Sequence, residues 1–532
     1  MRLYLISPQS DAHHEYSPLA AAAGGERITR LASAGIATVA ALAPRHFDIV
    51  LCDEAVQSVD FETDADVIGL SANVSQAQRA LQIADEFRRL GKTVVMGGPH
   101  VSLAPELFDG RADSLVVGEL EPVAEAFFAD MLGGTLQPRY QGAKADLTLS
   151  PAPRWDLYPN HLAISGVVQT SRGCPFECHF CDVIQYLGRV QRHKTNEQVL
   201  TEIQALYDLG YDYITLADDN FTVYRKRARS LLKAIAEWNG RDGRGYLTFA
   251  TQMSIDVARD QEILELCNEA GLLNVFVGIE TSDPNGLVES KKRQNLKVDL
   301  REQCRTIVRA GLRIEGGLIV GFDSDGLSAF QRQLDFAMDL PVGTFAVSVL
   351  TAPVATPLYE AMSAAGRIVT DDESAQFPSA NLITNFRPAQ MSREELYVGA
   401  KWLICKLMDP ANFETRLRSM AALLAPPPWI LRGGEQRRHQ NLRAAAGLFG
   451  KVMRDLVRRD PRVASLVHNV FALMRERPDI RDGLGDAMSH YLMTLRAYEL
   501  NGVYDRDWAA MSAPPFGHAK SDRRLEQIRA VA

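Results

Sequence analysis

With 532 residues, a formal net charge of −8 and 46% hydrophobic residues, the chain has the make-up of a globular protein too long for one core, and about three domains are expected. No run approaches the roughly 20 apolar residues that span a bilayer, and nothing in the charge balance points to nucleic acid. Seven cysteines, an odd number in so long a chain, argue against a disulfide framework and for a reducing, cytoplasmic setting.

The N-terminus, Met1 to Ile6, stops being apolar after six residues and reads as a buried strand rather than a signal peptide. Up to about residue 145 short apolar stretches alternate with helical ones. Strands are predicted at Leu3–Ser7, Ile49–Cys52, Val67–Ser71, Thr93–Met96 and Ser114–Val117, with a helix over Gln76–Leu90. This alternation predicts an α/β domain with a doubly wound parallel sheet, whose ligand sits at the carboxyl ends of the strands. Those ends are polar or glycine-rich: Ser71 and Asn73, Gly97, Gly98 and His100, then Gly118 and Glu119. Glycine there lets a flat ligand approach the backbone. His100 reads equally well as a residue capping the following turn.

From about 132 to 160, Gly133, Gly134 and four prolines without periodicity mark a connector, with Trp155 to Pro159 expected to pack it onto the next domain. The chemistry of the chain centres on Cys174, Cys178 and Cys181, spaced C-x3-C-x2-C on one short loop with Phe180 before the last thiol. Three soft thiolates can hold three corners of an iron-sulfur cube and leave the fourth iron open. A structural zinc wants four ligands, and His179, between two of the cysteines, is badly placed to be the fourth.

Around and after that loop, strands are predicted at Ile164–Thr170, Tyr213–Ala217, Tyr246–Gln252, Asn274–Ile279, Arg313–Val320 and Thr344–Leu350, separated by helices. Six such units suggest a partial (β/α)6 barrel with its site at the carboxyl ends of the strands. Asp218, Asp219, Asn220, Gln252, Glu280, Gly317 and Gly321 stand at or near those ends. Their carboxylates and amides could hold an ammonium and ribose hydroxyls by charge-assisted hydrogen bonds, and glycines in the fifth strand would leave bare backbone for a flat base.

The cysteine motif resembles that of the radical S-adenosylmethionine (SAM) enzymes. The resemblance implies a 4Fe-4S cluster on Cys174, Cys178 and Cys181, and SAM bound at the open iron with Phe180 beside its adenine. An electron from the cluster then cleaves SAM to a 5′-deoxyadenosyl radical. Asp218, Asp219 and Asn220 stand where the family has a glycine-glycine-glutamate contact to the SAM amino group. Glu280 stands at a ribose or carboxylate contact, and Gly317-x-Ile319-x-Gly321 follows the strand-five pattern, with Ser324 replacing its later glutamate between Asp323 and Asp325. The run Val94 to Val101 and the run Val116 to Glu121 resemble the cobalamin-binding domain that precedes many such enzymes. The sequence Asp11-Ala12-His13-His14-Glu15-Tyr16 keeps the Asp and His of that domain's D-x-H-x-x-G motif but not its glycine. Within the family, Asp218 to Phe221, Phe276 to Thr281 and Thr356 to Tyr359 resemble the subgroup that includes bacterial hopanoid C-methylases.

The expected organisation is a cobalamin-binding-like domain over 1–145, a linker over 146–162, a radical SAM barrel over 163–365 and a helical domain over 366–532. In the last, Ser392 to Glu395 reads as a helix start, and the basic, amphipathic stretch between Leu431 and Val463 suits either a solvated helix or contact with anionic lipid at the inner membrane. The resemblance implies cobalamin-dependent methyl transfer to an sp3 carbon of a lipid or other small molecule, with an electron donor such as flavodoxin or ferredoxin. Two alternatives stand beside it: radical SAM chemistry without methylation, and a non-catalytic cobalamin or metal sensor.

Overall fold

The computed structural model describes residues 1–11, 19, 22, 26–370, 382–437 and 443–530. Most of the Asp11 to Tyr16 motif therefore lies outside the described residues, as does Arg438 of the basic stretch. In chain order the strands are β1 Arg2–Ser7, β2 Thr29–Leu31, β3 Asp48–Asp53, β4 Val67–Ser71, β5 Thr93–Gly97, β6 Ser114–Val117, β7 Arg139–Gln141, β8 Ala163–Val168, β9 Ser171–Arg172, β10 Arg192–His193, β11 Tyr213–Leu216, β12 Thr248–Met253, β13 Leu272–Glu280, β14 Arg313–Val320 and β15 Thr344–Val349.

The first sheet is parallel, in the order β3-β1-β4-β5-β6-β7. Successive side chains of a strand point to opposite faces, so a strand buried on both faces serves two cores. In β1, Tyr4 and Ile6 join Phe87 and Ile83 of the helix Ala77–Arg89, while Leu3 and Leu5 join Ile36 and Phe128 on the other side. The connection from β1 runs outward to β3, whereas the later strands build on the opposite side through β4. That reversal opens a crevice at the carboxyl ends of β1 and β4, where open α/β sheets take their ligands.

The second sheet is also parallel, in the order β15-β14-β13-β12-β11-β8-β2. Its strands from β8 onward follow the sequence, with helices such as Asn196–Asp208, Arg225–Trp238, Gln261–Ala270, Leu300–Arg309 and Ala329–Met338 between them. This is the expected partial barrel. Local chemistry sets the helix starts: Thr195 accepts from the Gln198 N–H in a reciprocal capping box, and Asp260 and Asp299 cap theirs.

Four strands fall outside the sequence reading: β2, β7, and the two-residue strands β9 and β10. β7 lies inside the stretch expected to be a connector. β2 leaves the first domain's stretch of chain and pairs with β8, Thr29 opposite Ala163 and Leu31 opposite Ser165. Three residues are too few to display a period. The linker also packs back onto the first sheet as well as forward: the Tyr158 hydroxyl donates to Asp53 Oδ2 at 2.6 Å, with both residues buried.

Beyond β15 the regular structure of the described chain is helical apart from isolated bridges, Ile368 with Phe386 and Gln436 with Tyr246. Ser392 and Glu395 form the expected capping box at the head of the helix Arg393–Leu407. In the helix Arg443–Arg459, Leu448, Val452 and Leu456 are buried in the core, while Lys451, Arg454 and Arg458 face outward. The apolar side that lipid contact would need is thus spent within the protein. Among the described residues no helix is long and apolar enough to cross a membrane.

Candidate active site

The cysteine loop hangs between β9 and β10, which pair antiparallel, Arg172 opposite Arg192 and Ser171 opposite His193. Asp218, at the carboxyl end of β11, holds the entry strand: its Oδ1 accepts from the Thr170 and Ser171 N–H groups, both at 2.8 Å, and its other oxygen accepts from the Thr170 hydroxyl. Gly173 has φ +97°, and a Cβ there would fall 2.8 Å from Val190 O and 2.9 Å from Gly188 O, so the tight entry requires glycine. Its N–H donates to Asp219 Oδ2 at 3.1 Å. The loop is also tied to the barrel rim, with the His179 N–H donating to Ser290 O and its carbonyl accepting from the Leu358 N–H.

Cys178 is buried and Cys174 and Cys181 are partly so. Burial pushes all three thiols up, Cys181 to about 12, with nearby Asp182 and the other two thiols adding to the effect. Burial thus opposes the thiolate form, which a bound metal centre would favour by displacing the protons. Among the described residues no group of three His, Cys, Asp or Glu side chains could hold a single metal ion. A cube engages each thiolate through a different iron, so its three ligands need not converge on one ion. The His179 imidazole bonds to the backbone of Glu289, and burial lowers its pKa.

Lys292 and Glu280 form a second layer beside these thiols. Lys292 Nζ lies 2.6 Å from Glu280 Oε1, and both side chains are largely buried. Burial disfavours the Lys292 charge, but Glu280 and the thiols of Cys178 and Cys181 reverse that and hold its pKa above the ordinary value. Glu280 adopts φ +66° at a register shift between β13 and β14, and a Cβ on Gly278 would fall 2.8 Å from Lys292 Nζ. Glycine at 278 makes room for the pair.

A cavity of about 1580 Å3 lies between the two sheets. Ser7, Ser10, Ser71 and Asn73 line it from the crevice at the ends of β1 and β4, and Thr215, Gln252 and Phe276 line it from the barrel interior. His490 and Met493, of the helix Arg481–Leu500, close its far side.

Residues 168–337 match the Radical SAM superfamily and residues 24–128 match the B12 binding domain. An uncharacterized methyltransferase of Synechocystis sp. is 32% identical over 455 residues, covering 84% of this chain and 82% of that one. The chain belongs to the radical SAM enzymes that carry a B12-binding domain. A hopanoid C-2 methylase of Rhodopseudomonas palustris is 32% identical over 347 residues, 64% of this chain and 65% of the relative. The cobalamin-dependent SAM radical enzyme OxsB, solved with aqua-cobalamin and SAM bound, shares the fold with a TM-score of 0.58 at 14% identity, over 99% of this chain and 83% of that one. The family's cofactors are a 4Fe-4S cluster, SAM and cobalamin.

Within this radical SAM enzyme the residues expected to touch SAM divide. Asp218 is committed to the loop, and Asn220 donates to Ser254 Oγ at 2.6 Å while its Oδ1 is buried. Asp219, whose pKa burial raises to about 6, keeps one oxygen outside the Gly173 bond. Gln252 is exposed to the cavity, whereas Glu280 is held by Lys292. Phe180 packs against the Phe322, Leu350, Leu358 and Phe386 cluster at the barrel's carboxyl end. The backbone of Gly317 is not bare: a Cβ there would fall 2.8 Å from Phe276 Cζ. Gly321, at φ +105°, is fitted against Leu396 instead of a ligand. Asp323 pairs with Arg367, and Asp325 accepts from the Gly321 and Phe322 N–H groups.

The cobalamin set divides in the same way. Ser71 and Asn73 reach the cavity, although Asn73 Oδ1 also caps the following turn through the Ser75 N–H at 2.9 Å. Gly97 and Gly98 form the backbone beside it; a Cβ on Gly98, at φ +102°, would fall 2.7 Å from Ala72 N. His100 is buried edge-on to Phe108, and burial lowers its pKa to about 4. Gly118 is packed against the Gly142 carbonyl, and the Glu119 carboxylate is bonded to Arg172 and Arg192. These last three face protein, not the cavity, which corrects the expectation of ligand contact. Sequence reasoning missed Arg172, Arg192 and Lys292, since nothing local distinguishes Lys292 from its exposed neighbour Lys291.

Proposed function

We propose that this enzyme transfers a methyl group to an unactivated carbon of a lipid or natural-product-like small molecule. The observation that carries the reading is the cavity shared by the crevice of the cobalamin domain and the interior of the SAM barrel. When bound, the cluster supplies the electron that cleaves SAM and cobalamin carries the methyl group. The chain's own part is placement. Cys174, Cys178 and Cys181 would hold the cluster, and Asp219 and Gln252 would meet SAM. Ser71 and Asn73, on the cavity wall, would face cobalamin, and Phe276 and Met493 would give the substrate's carbon skeleton an apolar wall. Fixing the partners in one chamber would hold them in line for reaction. A low-potential donor such as flavodoxin or ferredoxin is the expected source of electrons. The relatives' names support methyl transfer.

Anaerobically reconstituted protein is expected to contain iron, to retain cobalamin through gel filtration and to cleave SAM reductively, with Cys178→Ala abolishing cleavage. Mass spectra of metabolites from cells with and without the gene should differ by compounds heavier by one methylene, labelled when methyl-labelled methionine is fed. SAM cleavage without cobalamin retention would redirect the reading to non-methylating radical chemistry. Zinc in place of iron in oxygen-free protein would replace it with a sensor.

A further inference from the structure

We propose that Glu119 is a positioning residue that ties the root of the cysteine loop to the cobalamin domain, so that cobalamin bound in the crevice orders the loop that holds the cluster. The proposal rests on the cobalamin-binding reading above.

Glu119 follows β6, and its side chain crosses to the barrel. Its Oε2 accepts from Arg172 Nη1 at 2.8 Å, and its Oε1 pairs with Arg192 Nη2 at 2.6 Å. Those two arginines sit opposite each other in the β9–β10 ribbon, so one carboxylate grips both stems of the loop that contains all three cysteines. Arg172 is held again by Glu121 Oε1 at 2.8 Å. Arg192 Nη1 donates to Ala145 O at 2.7 Å, and the Ala145 N–H returns to Glu119 Oε2 at 3.1 Å. The joint is largely shielded from solvent, with 5% of the Glu119 side chain and 12% of the Arg172 side chain accessible. Charge-assisted bonds in such surroundings are strong and directional.

The joint continues to the crevice. The Gly118 N–H donates to Ser102 Oγ at 2.9 Å, and the Ser102 hydroxyl donates to Gly98 O at 2.9 Å. Gly98 is seated on Ala72, whose carbonyl accepts from the His100 N–H and whose neighbours Ser71 and Asn73 line the cavity. Hydrogen-bonded contacts thus run from the cavity rim through Gly98, Ser102, Gly118 and Glu119 to Arg172, two residues before Cys174. Gly118 and Gly142 stiffen the path, since a Cβ on either would run into the other segment's backbone. Contiguity of this kind permits coupling; measurement must establish it.

Hydrogen exchange on the full chain with its cluster reconstituted, with and without hydroxocobalamin, tests the proposal. In the wild type, hydroxocobalamin is expected to slow exchange at residues 71–73 and, by about fivefold or more, at residues 171–193. In Glu119→Gln the slowing at 71–73 remains and that at 171–193 disappears. Ser102→Ala, which cuts the path far from the loop and leaves both arginines paired, is expected to do the same, and it carries the test if the Glu119 variant does not fold. Slowing at 171–193 that survives both cuts, or that is missing in a wild type with bound cobalamin, overturns the proposal alone. Failure of the wild type to retain hydroxocobalamin on gel filtration defeats the cobalamin reading with it.

Discussion

Replacing Asp218 separates two roles that one carboxylate at a barrel strand end can play. The structure gives it three donors from Thr170 and Ser171 and no reach to spare for an ammonium. In Asp218→Asn the amide oxygen still reaches both N–H groups, but charge-assisted bonds are roughly twice as strong as neutral ones, so a loss of about 1–2 kcal/mol is expected. In Asp218→Ala two buried N–H donors lose their acceptor at about 1–3 kcal/mol each, or about 2–6 kcal/mol in all. The loss falls on the entry to the cysteine loop. It is read as faster hydrogen exchange at Thr170 and Ser171, and as lower iron and sulfide content after anaerobic reconstitution, graded from Asn to Ala. A residue that instead touched the SAM amino group would leave exchange and iron unchanged and weaken only SAM binding. Full iron loading and unaltered exchange in Asp218→Ala would refute the reasoning.

Three further outcomes are expected. Lys292→Met leaves Glu280 buried without its counter-charge and should lower the urea midpoint by the equivalent of about 3–5 kcal/mol; combining it with Glu280→Gln should restore most of that. His100 has a folded-state pKa of about 4, below its ordinary 6.5, so the unfolded chain takes up the proton first. Stability from this group is therefore complete above pH 6.5 and drains away toward pH 4, by about 1.4 kcal/mol per pH unit and about 3 kcal/mol in total. Urea unfolding of His100→Leu across that window should show a correspondingly flatter pH dependence. Gly142→Ala drives a Cβ into Glu119 O and should cost far more melting temperature than Gly134→Ala, where φ is +67° but nothing lies within 4 Å and only about 1 kcal/mol of strain arises.

What the sequence displayed was whatever repeats locally. β4, β6 and β14 run as their periodicity predicts, and Thr195 and Ser392 cap the helices they precede. The cysteine loop is legible for the same reason, because its spacing is its chemistry. The division of labour among the strand-end residues was not legible. A glycine or a carboxylate at a carboxyl end looks alike whether it meets a ligand or another backbone. Glu119 met protein because Arg172, 53 residues later, folds back onto it, and Gly118 because Gly142 packs against it. Lys292 finds Glu280, twelve residues earlier, across a turn and a short helix, a pairing that follows no helical or strand period.

The strand β2 has an engineering corollary. Because Thr29–Leu31 supplies the outermost rung of the barrel sheet, the two cofactor-holding halves are stitched together rather than strung in series. A fragment begun near residue 163 would present β8 as a raw margin, with its N–H and C=O groups facing water and inviting another chain to pair. The same stitch restrains the cobalamin half from swinging freely away from the barrel.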